Sequence, residues 1–218
     1  QTLNASKATT SKRKPELQQK AAPEQNALKR RAYPKIISAA EEHKTASKIY
    51  LQGKVGVKKI LQEVCDKNNF TVGDARSIVN ECVESVMRNP DALMWMSKIR
   101  EQDEYTAEHC LNVCILAMIF GRHLGLTEKE LVRLGLCGLL HDLGKMKLPM
   151  ALLNKTEKLL PEEFDIIKNH TDLGYRLLLD SEQYIPPIVA SVALSHHERI
   201  DGLGYPEKKS ATELDIMV

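Results

Sequence analysis

From Ile36 onward the apolar residues of this 218-residue chain recur at intervals of three and four, and nowhere do they alternate. A period near 3.6 gives a helix one buried stripe, whereas a half-buried strand needs a period of two. The chain is therefore predicted to be all-α, a bundle of seven to nine helices. Aromatic residues make up only 5% of it, with one Trp, which argues against a strand-rich sandwich. A first helical run covers Ile36 to Val64, loosened around Gly53 and Gly56, and a second runs from Ala75 to Met87. Asn89-Pro90-Asp91 is a start signal: a capping side chain, Pro at the first helical position and an acid in the first turn. It predicts a helix in which Leu93, Met94, Trp95 and Met96 pack into the core. A central apolar helix follows from His109 to Leu124. Thr127 with Glu130 forms a capping box for a helix reaching Leu140. Further runs end near His170, cover Leu173 to Leu179, and lead from Pro186-Pro187 to His196-His197.

Net charge is only +2, yet residues 1–35 carry nine Lys/Arg against two Glu. That stretch has almost no large apolar residues, so it reads as a basic, flexible linker. It offers no stacking aromatics, and the rest of the chain is mildly acidic, so no nucleic acid polymer is expected as a partner. No stretch of about 18 uncharged apolar residues is present, so no membrane span is predicted. The five Cys lie in helix-like apolar patterns without paired metal spacings. They read as buried, reduced thiols, and a cytoplasmic location is expected.

Five of the seven His stand at the ends of apolar runs: His109, His141, His170 and the pair His196-His197. Imidazoles so placed can converge inside a bundle. Neutral imidazole nitrogen and carboxylate oxygen suit Fe, Mn or Zn. In the adjacent pair His141-Asp142, the carboxylate can bridge two ions while the imidazole holds one. His43 and His123 need no such reading.

Four strings carry a resemblance: YTAEHCLNV (105–113), GLLHDLGKMKLP (138–149), NKTEKLLPEEFDIIKNH (154–170) and HHERIDGLGYP (196–206). In order and spacing they resemble the HD-GYP phosphodiesterases, a branch of the HD superfamily of metal-dependent phosphohydrolases, over about residues 91–206. The resemblance implies an HD-type helical bundle with a metal centre in its core, hydrolysing the bacterial messenger cyclic di-GMP to pGpG and then, in some cases, GMP. It implies His109, His141, Asp142, His170, His196 and His197 as metal ligands, Asp142 as the bridging carboxylate, and Lys145 as the cation that meets the substrate phosphate. Asp201, Gly202, Gly204, Tyr205 and Pro206 match the family's loop and are implied to contact substrate, with Asp201 also able to anchor the turn. Two divalent ions are implied. Fe or Mn fit best, Zn, Ni and Mg also suit the donors, and no organic cofactor is expected.

The domain reading that follows is a linker over 1–35, a helical lead-in over 36–100, and a catalytic domain over 101–218 that falls short of the family's C-terminal part. Family members with a third ion resemble one another in a Glu four residues before the first ligand. Tyr105 stands there, which predicts a dinuclear site, with Glu104 and Glu108 as nearby acids. The family's further Asp ligand has no clear counterpart in EKKSATELDIMV; the matching position falls on Thr212, with Asp215 behind it. Two competitors follow: a domain that binds cyclic di-GMP without hydrolysing it, and an HD hydrolase of another nucleotide. Arg199, Ile200 and Leu203 in the Gly-Tyr-Pro loop are expected to meet a protein partner, and the apolar content of 36–100 suits a homodimer.

Overall fold

A computed structural model describes residues 31–98 and 105–218. Among these residues it contains nine α-helices, one 3₁₀ turn and no strand. The order is α1 (Ala39–Lys67), α2 (Val72–Arg88), α3 (Pro90–Met96), α4 (Tyr105–His123), α5 (Glu128–Leu140), the 3₁₀ turn Leu143–Lys147, α6 (Met150–Leu153), α7 (Pro161–Lys168), α8 (His170–Leu179) and α9 (Pro187–Ser195). The all-α expectation and its helix count hold. Among the described residues no helix is long and apolar enough to cross a membrane.

Helix starts follow the chemistry of their caps. Ser38 and Glu41 close a capping box at α1, and Thr127 and Glu130 close another at α5. Asn89 accepts from the Asp91 N–H and Pro90 takes the first position of α3, as expected from the sequence. Such caps satisfy amide groups that the first turn leaves without partners.

Helix α4 is the axis of the core: Cys110, Leu111, Cys114, Ile115 and Met118 are fully buried along it. It packs most extensively on α5, while α1 lies against α2, α3 and α4. The expected loosening at Gly53 and Gly56 is absent, and α1 runs unbroken for 29 residues. Both glycines mark crossings instead. A Cβ on Gly53 would lie 3.2 Å from Leu111, and one on Gly56 only 2.7 Å from Ile78, so their lack of a side chain sets how closely α4 and α2 approach α1. Helices α1 and α2 are stapled by a buried carboxylate, Glu42, which accepts from Arg88 Nε and Nη2 and from Ser85 Oγ at 2.7–2.8 Å.

Three other expectations are corrected. Trp95 is 66% exposed, because α3 turns its Leu93 and Met96 inward and the indole falls on the opposite side. Cys65 is exposed near the end of α1, and the other four thiols are buried and free. His170 opens α8 rather than closing the helix before it, since α7 ends at Lys168. The expected linker lies outside the described residues up to residue 30. Tyr33 is held by its hydroxyl, which donates to the Leu126 carbonyl, and Arg122 donates to the Tyr33 and Pro34 carbonyls.

Candidate metal centre

The site forms where four helices present their ends. His109 stands one turn into α4, His141 follows the last residue of α5, His170 opens α8, and His196-His197 follow α9. Two close crossings bring these ends together. A Cβ on Gly138 would sit 2.9 Å from Cys114 Cα and N, so α5 rests almost on the α4 backbone one turn before His141. A Cβ on Gly144 would fall 1.9 Å from the His170 carbonyl oxygen and 2.5 Å from Gly174 N, so the 3₁₀ turn lies directly on α8.

At the centre is Asp142, whose side chain is 1% exposed. Its Oδ2 faces His109 Nε2 at 3.4 Å and His141 Nε2 at 3.1 Å. Its Oδ1 faces His170 Nε2 at 3.4 Å and His196 Nε2 at 3.5 Å. Two donor groups result, one of His109, His141 and Asp142, the other of Asp142, His170, His196 and His197. Asp142 belongs to both. Lys145 donates to Asp142 Oδ2 at 2.7 Å.

Backbone carbonyls set the tautomers. His141 Nδ1 lies 2.8 Å from the Gly138 carbonyl, His170 Nδ1 2.7 Å from Ile167, and His196 Nδ1 3.0 Å from Ala193. Those carbonyls belong to the last turns of α5, α7 and α9, where the intrahelical ladder of hydrogen bonds runs out. A ring that donates from Nδ1 keeps a lone pair on Nε2. His170 and His196 then direct their Nε2 lone pairs toward each other at 3.2 Å and toward Asp142 Oδ1. Only protons or a cation reconcile so many acceptors, and Oδ1 is a buried oxygen without a hydrogen-bond donor among the described residues. Burial pushes the His170 pKa down to about 4, so protons are disfavoured at neutral pH. Burial also raises the Asp142 pKa, but the surrounding imidazoles of His109, His141 and His196 outweigh it and hold the carboxyl far below its usual range. An ionised carboxylate ringed by neutral imidazoles fits a divalent ion.

His197 is likewise pushed down to about 4, first by burial and then by the neighbouring His196 and His170. Because the folded values lie below the ordinary 6.5, the folded protein binds fewer protons than the unfolded chain in acid. In the presence of EDTA, stability should be full above about pH 6.5 and fall progressively as pH drops toward 4. Thermal melts at pH 7.5, 5.5 and 4.5 measure this. A melting temperature that stays flat across them would show that these imidazoles are solvated.

A cavity of about 490 Å³ opens beside the cluster. One wall carries His109, His141, Asp142, Lys145, His196 and His197; the other is apolar, with Val113, Ala117, Leu134, Val192, Met217 and Val218. The five His, Asp142 and Lys145 singled out in the sequence are thus brought together. The loop residues divide. Tyr205 stacks on His197, with ring centroids 4.7 Å apart and planes at 19°. Asp201, Gly202 and Pro206 do not line the cavity. Asp201 accepts from Arg199 Nε and from Leu203 N, which anchors the turn. Gly204 is buried, with room for no Cβ beside Glu198 and Arg199, and Ile200 and Leu203 stand 79% and 76% exposed. Sequence reasoning missed Glu198, which accepts from the Glu207 and Lys209 amides at 2.6 and 3.0 Å and folds the loop back. Its only signal was an acid directly after a His pair. Glu108, considered as an acid near a further ion, is buried against Lys54 at 2.9 Å and lines a separate cavity of about 260 Å³. Glu104 and the Tyr105 side chain lie outside the described residues. Thr212 is exposed in a turn beside Ser210 and does not line the cavity.

The comparisons with known proteins agree with this geometry. A family model described as HD domain matches residues 63–217. A Pseudomonas aeruginosa protein named cyclic di-GMP phosphodiesterase is 37% identical over 84% of this chain and 44% of its own length. A Thermotoga maritima protein with the same name is 36% identical over 58% of this chain and 34% of its own. The chain thus spans less than half the length of these relatives. The fold resembles that of Bd1817, described as an HDG"Y"P protein from Bdellovibrio bacteriovorus, with a TM-score of 0.66 and 23% identity over 79% of this chain and 55% of that one. The chain belongs to the HD domain family.

Proposed function

We propose that this chain carries the catalytic domain of a phosphodiesterase that hydrolyses cyclic di-GMP to pGpG, with two divalent ions, Fe or Mn, as its metals. What carries the reading is the Asp142 carboxylate, each of whose oxygens faces its own pair of imidazoles. The relatives named for this activity support it. His109, His141 and Asp142 would hold one ion, and Asp142, His170, His196 and His197 the other. Ions so held activate water and offset the charge of phosphoryl oxygens.

The chain's own groups supply the rest. Carbonyls at the helix ends keep the His141, His170 and His196 rings in the ligand-ready tautomer. Lys145, which reaches into the cavity, would exchange Asp142 for a non-bridging phosphoryl oxygen when substrate enters, holding its developing charge as a compact cation. The apolar wall would take the less polar part of the nucleotide and exclude water. A water oxygen adds to phosphorus as the P–O3′ bond breaks in line, and its proton ends on the ribose 3′ oxygen.

Product analysis tests the reading: purified protein with cyclic di-GMP, anaerobically with Fe²⁺ and separately with Mn²⁺, and with 3′3′-cGAMP as the competing substrate. Formation of pGpG is expected. Binding without turnover would replace it with the receptor reading, and preferential cleavage of 3′3′-cGAMP would reassign the substrate. Lys145→Met is expected to lower kcat about 10²–10³-fold, the scale of losing one charge-stabilising donor, with metal content unchanged. Loss of metal in that variant would place Lys145 in the metal site rather than on the substrate.

A further inference from the structure

We propose that Tyr205 is a positioning residue whose ring orients the His197 imidazole toward Asp142, in place of the backbone carbonyl that orients the neighbouring rings. The inference rests on the metal reading of the site. His141, His170 and His196 each fix their plane through an Nδ1 hydrogen bond to a helix-end carbonyl. The His197 ring makes no hydrogen bond among the described residues. It is held instead by rings: Tyr205 stacked at 4.7 Å and 19°, His196 tilted at 4.2 Å and 45°, and His170 edge-on at 5.1 Å and 85°. Rotation of the imidazole about its Cβ–Cγ bond would drive its edge into the phenol face, so a parallel ring at this distance acts as a stop.

Tyr205 is itself fixed from three sides. Its amide donates to the His197 carbonyl at 3.2 Å, tying the two residues through the backbone as well as the rings. Phe164 of α7 meets it edge-on at 6.2 Å and 83°. The Lys168 ammonium lies 5.9 Å from the Tyr205 ring centre and 4.8 Å from that of Phe164. Gly204, packed against Glu198 and Arg199, lets the chain return closely enough for the stack to form. The phenol hydroxyl makes no hydrogen bond among the described residues, so the face of the ring, not its oxygen, carries the effect.

Mn²⁺ titration of the full chain by calorimetry tests this, with Tyr205→Phe, Tyr205→Leu and Phe164→Leu beside the parent. The parent should bind two ions. Tyr205→Phe should match it within about threefold. Tyr205→Leu should keep one ion at parental affinity and lose about 10–100-fold at the other, the range found when an orienting partner of a ligand is removed. Phe164→Leu should shift the same ion in the same direction by less, and it carries the test should Tyr205→Leu fail to fold. In the metal-free protein, the ring-current shift of the His197 imidazole protons should match the parent in Tyr205→Phe and lose the Tyr205 contribution in Tyr205→Leu, leaving that of the neighbouring imidazoles. Parental binding by Tyr205→Leu, or equal loss in Tyr205→Phe, overturns the proposal alone. A parent that binds no Mn²⁺ overturns it together with the metal reading.

Discussion

Asp142→Ala should abolish divalent-ion binding at both donor groups at once and reduce phosphodiesterase activity by at least about 10³-fold, equivalent to roughly 4 kcal/mol of transition-state stabilisation. The reason is geometric. Among the described residues no other carboxylate belongs to either donor group, and each Asp142 oxygen serves a different pair of imidazoles. Substituting any single His leaves the other group and the shared carboxylate in place, so His109→Ala or His196→Ala should retain one ion. Metal content measured on folded variants decides it. An Asp142→Ala protein that keeps one ion at parental affinity would show that the two groups do not share their carboxylate.

Gly144→Ala should be the most damaging change outside the donor set. The added methyl meets backbone on α8, the His170 carbonyl at 1.9 Å and Gly174 N at 2.5 Å, and backbone cannot rotate aside as a side chain can. Either the turn or α8 must move, and His170 sits on the first residue of α8. Overpacking of this kind costs about 1–3 kcal/mol where side chains can adjust, and more where they cannot. For a chain of this size that corresponds to a fall of roughly 5–10 °C in melting temperature. The second donor group should weaken in parallel, because His170 is carried away from Asp142. A melting temperature within a degree of the parent, with unchanged Mn²⁺ affinity, would contradict the close crossing.

The residues of the site were legible in the sequence because their types are unusual where they stand. Imidazoles directly after long apolar runs, and an acid next to one of them, announce chemistry before any fold is known. Caps were legible for a related reason: Asn89-Pro90-Asp91 and Thr127 with Glu130 act locally, and the structure uses both as read. What depends on distant contacts was not. Gly53 and Gly56 look like weak points in a helical pattern, yet whether a glycine loosens a helix or admits a neighbour depends on Leu111 and Ile78, far along the chain. Trp95 has the composition of a core residue and is exposed. The boundary at His170 was misplaced because a single Asn169 separates two helices, and periodicity barely registers so short a break. The Tyr205 stack on His197 is a fact of three dimensions, invisible in a string that suggested a turn and a contact with substrate.

The hydrogen bonds from His141, His170 and His196 to helix-end carbonyls have a consequence for how such a centre can be tuned. Each helix gathers partial negative charge at its C-terminal end, and that charge is passed through the Nδ1 hydrogen to the opposite nitrogen, making it a stronger electron donor. The scaffold itself thus serves as the outer coordination sphere. No side-chain replacement can delete a carbonyl, so the electron richness of these three imidazoles is inherited from the bundle and closed to adjustment by point substitution. The contacts around His197 are side chains, and they leave a dial that a single codon can turn.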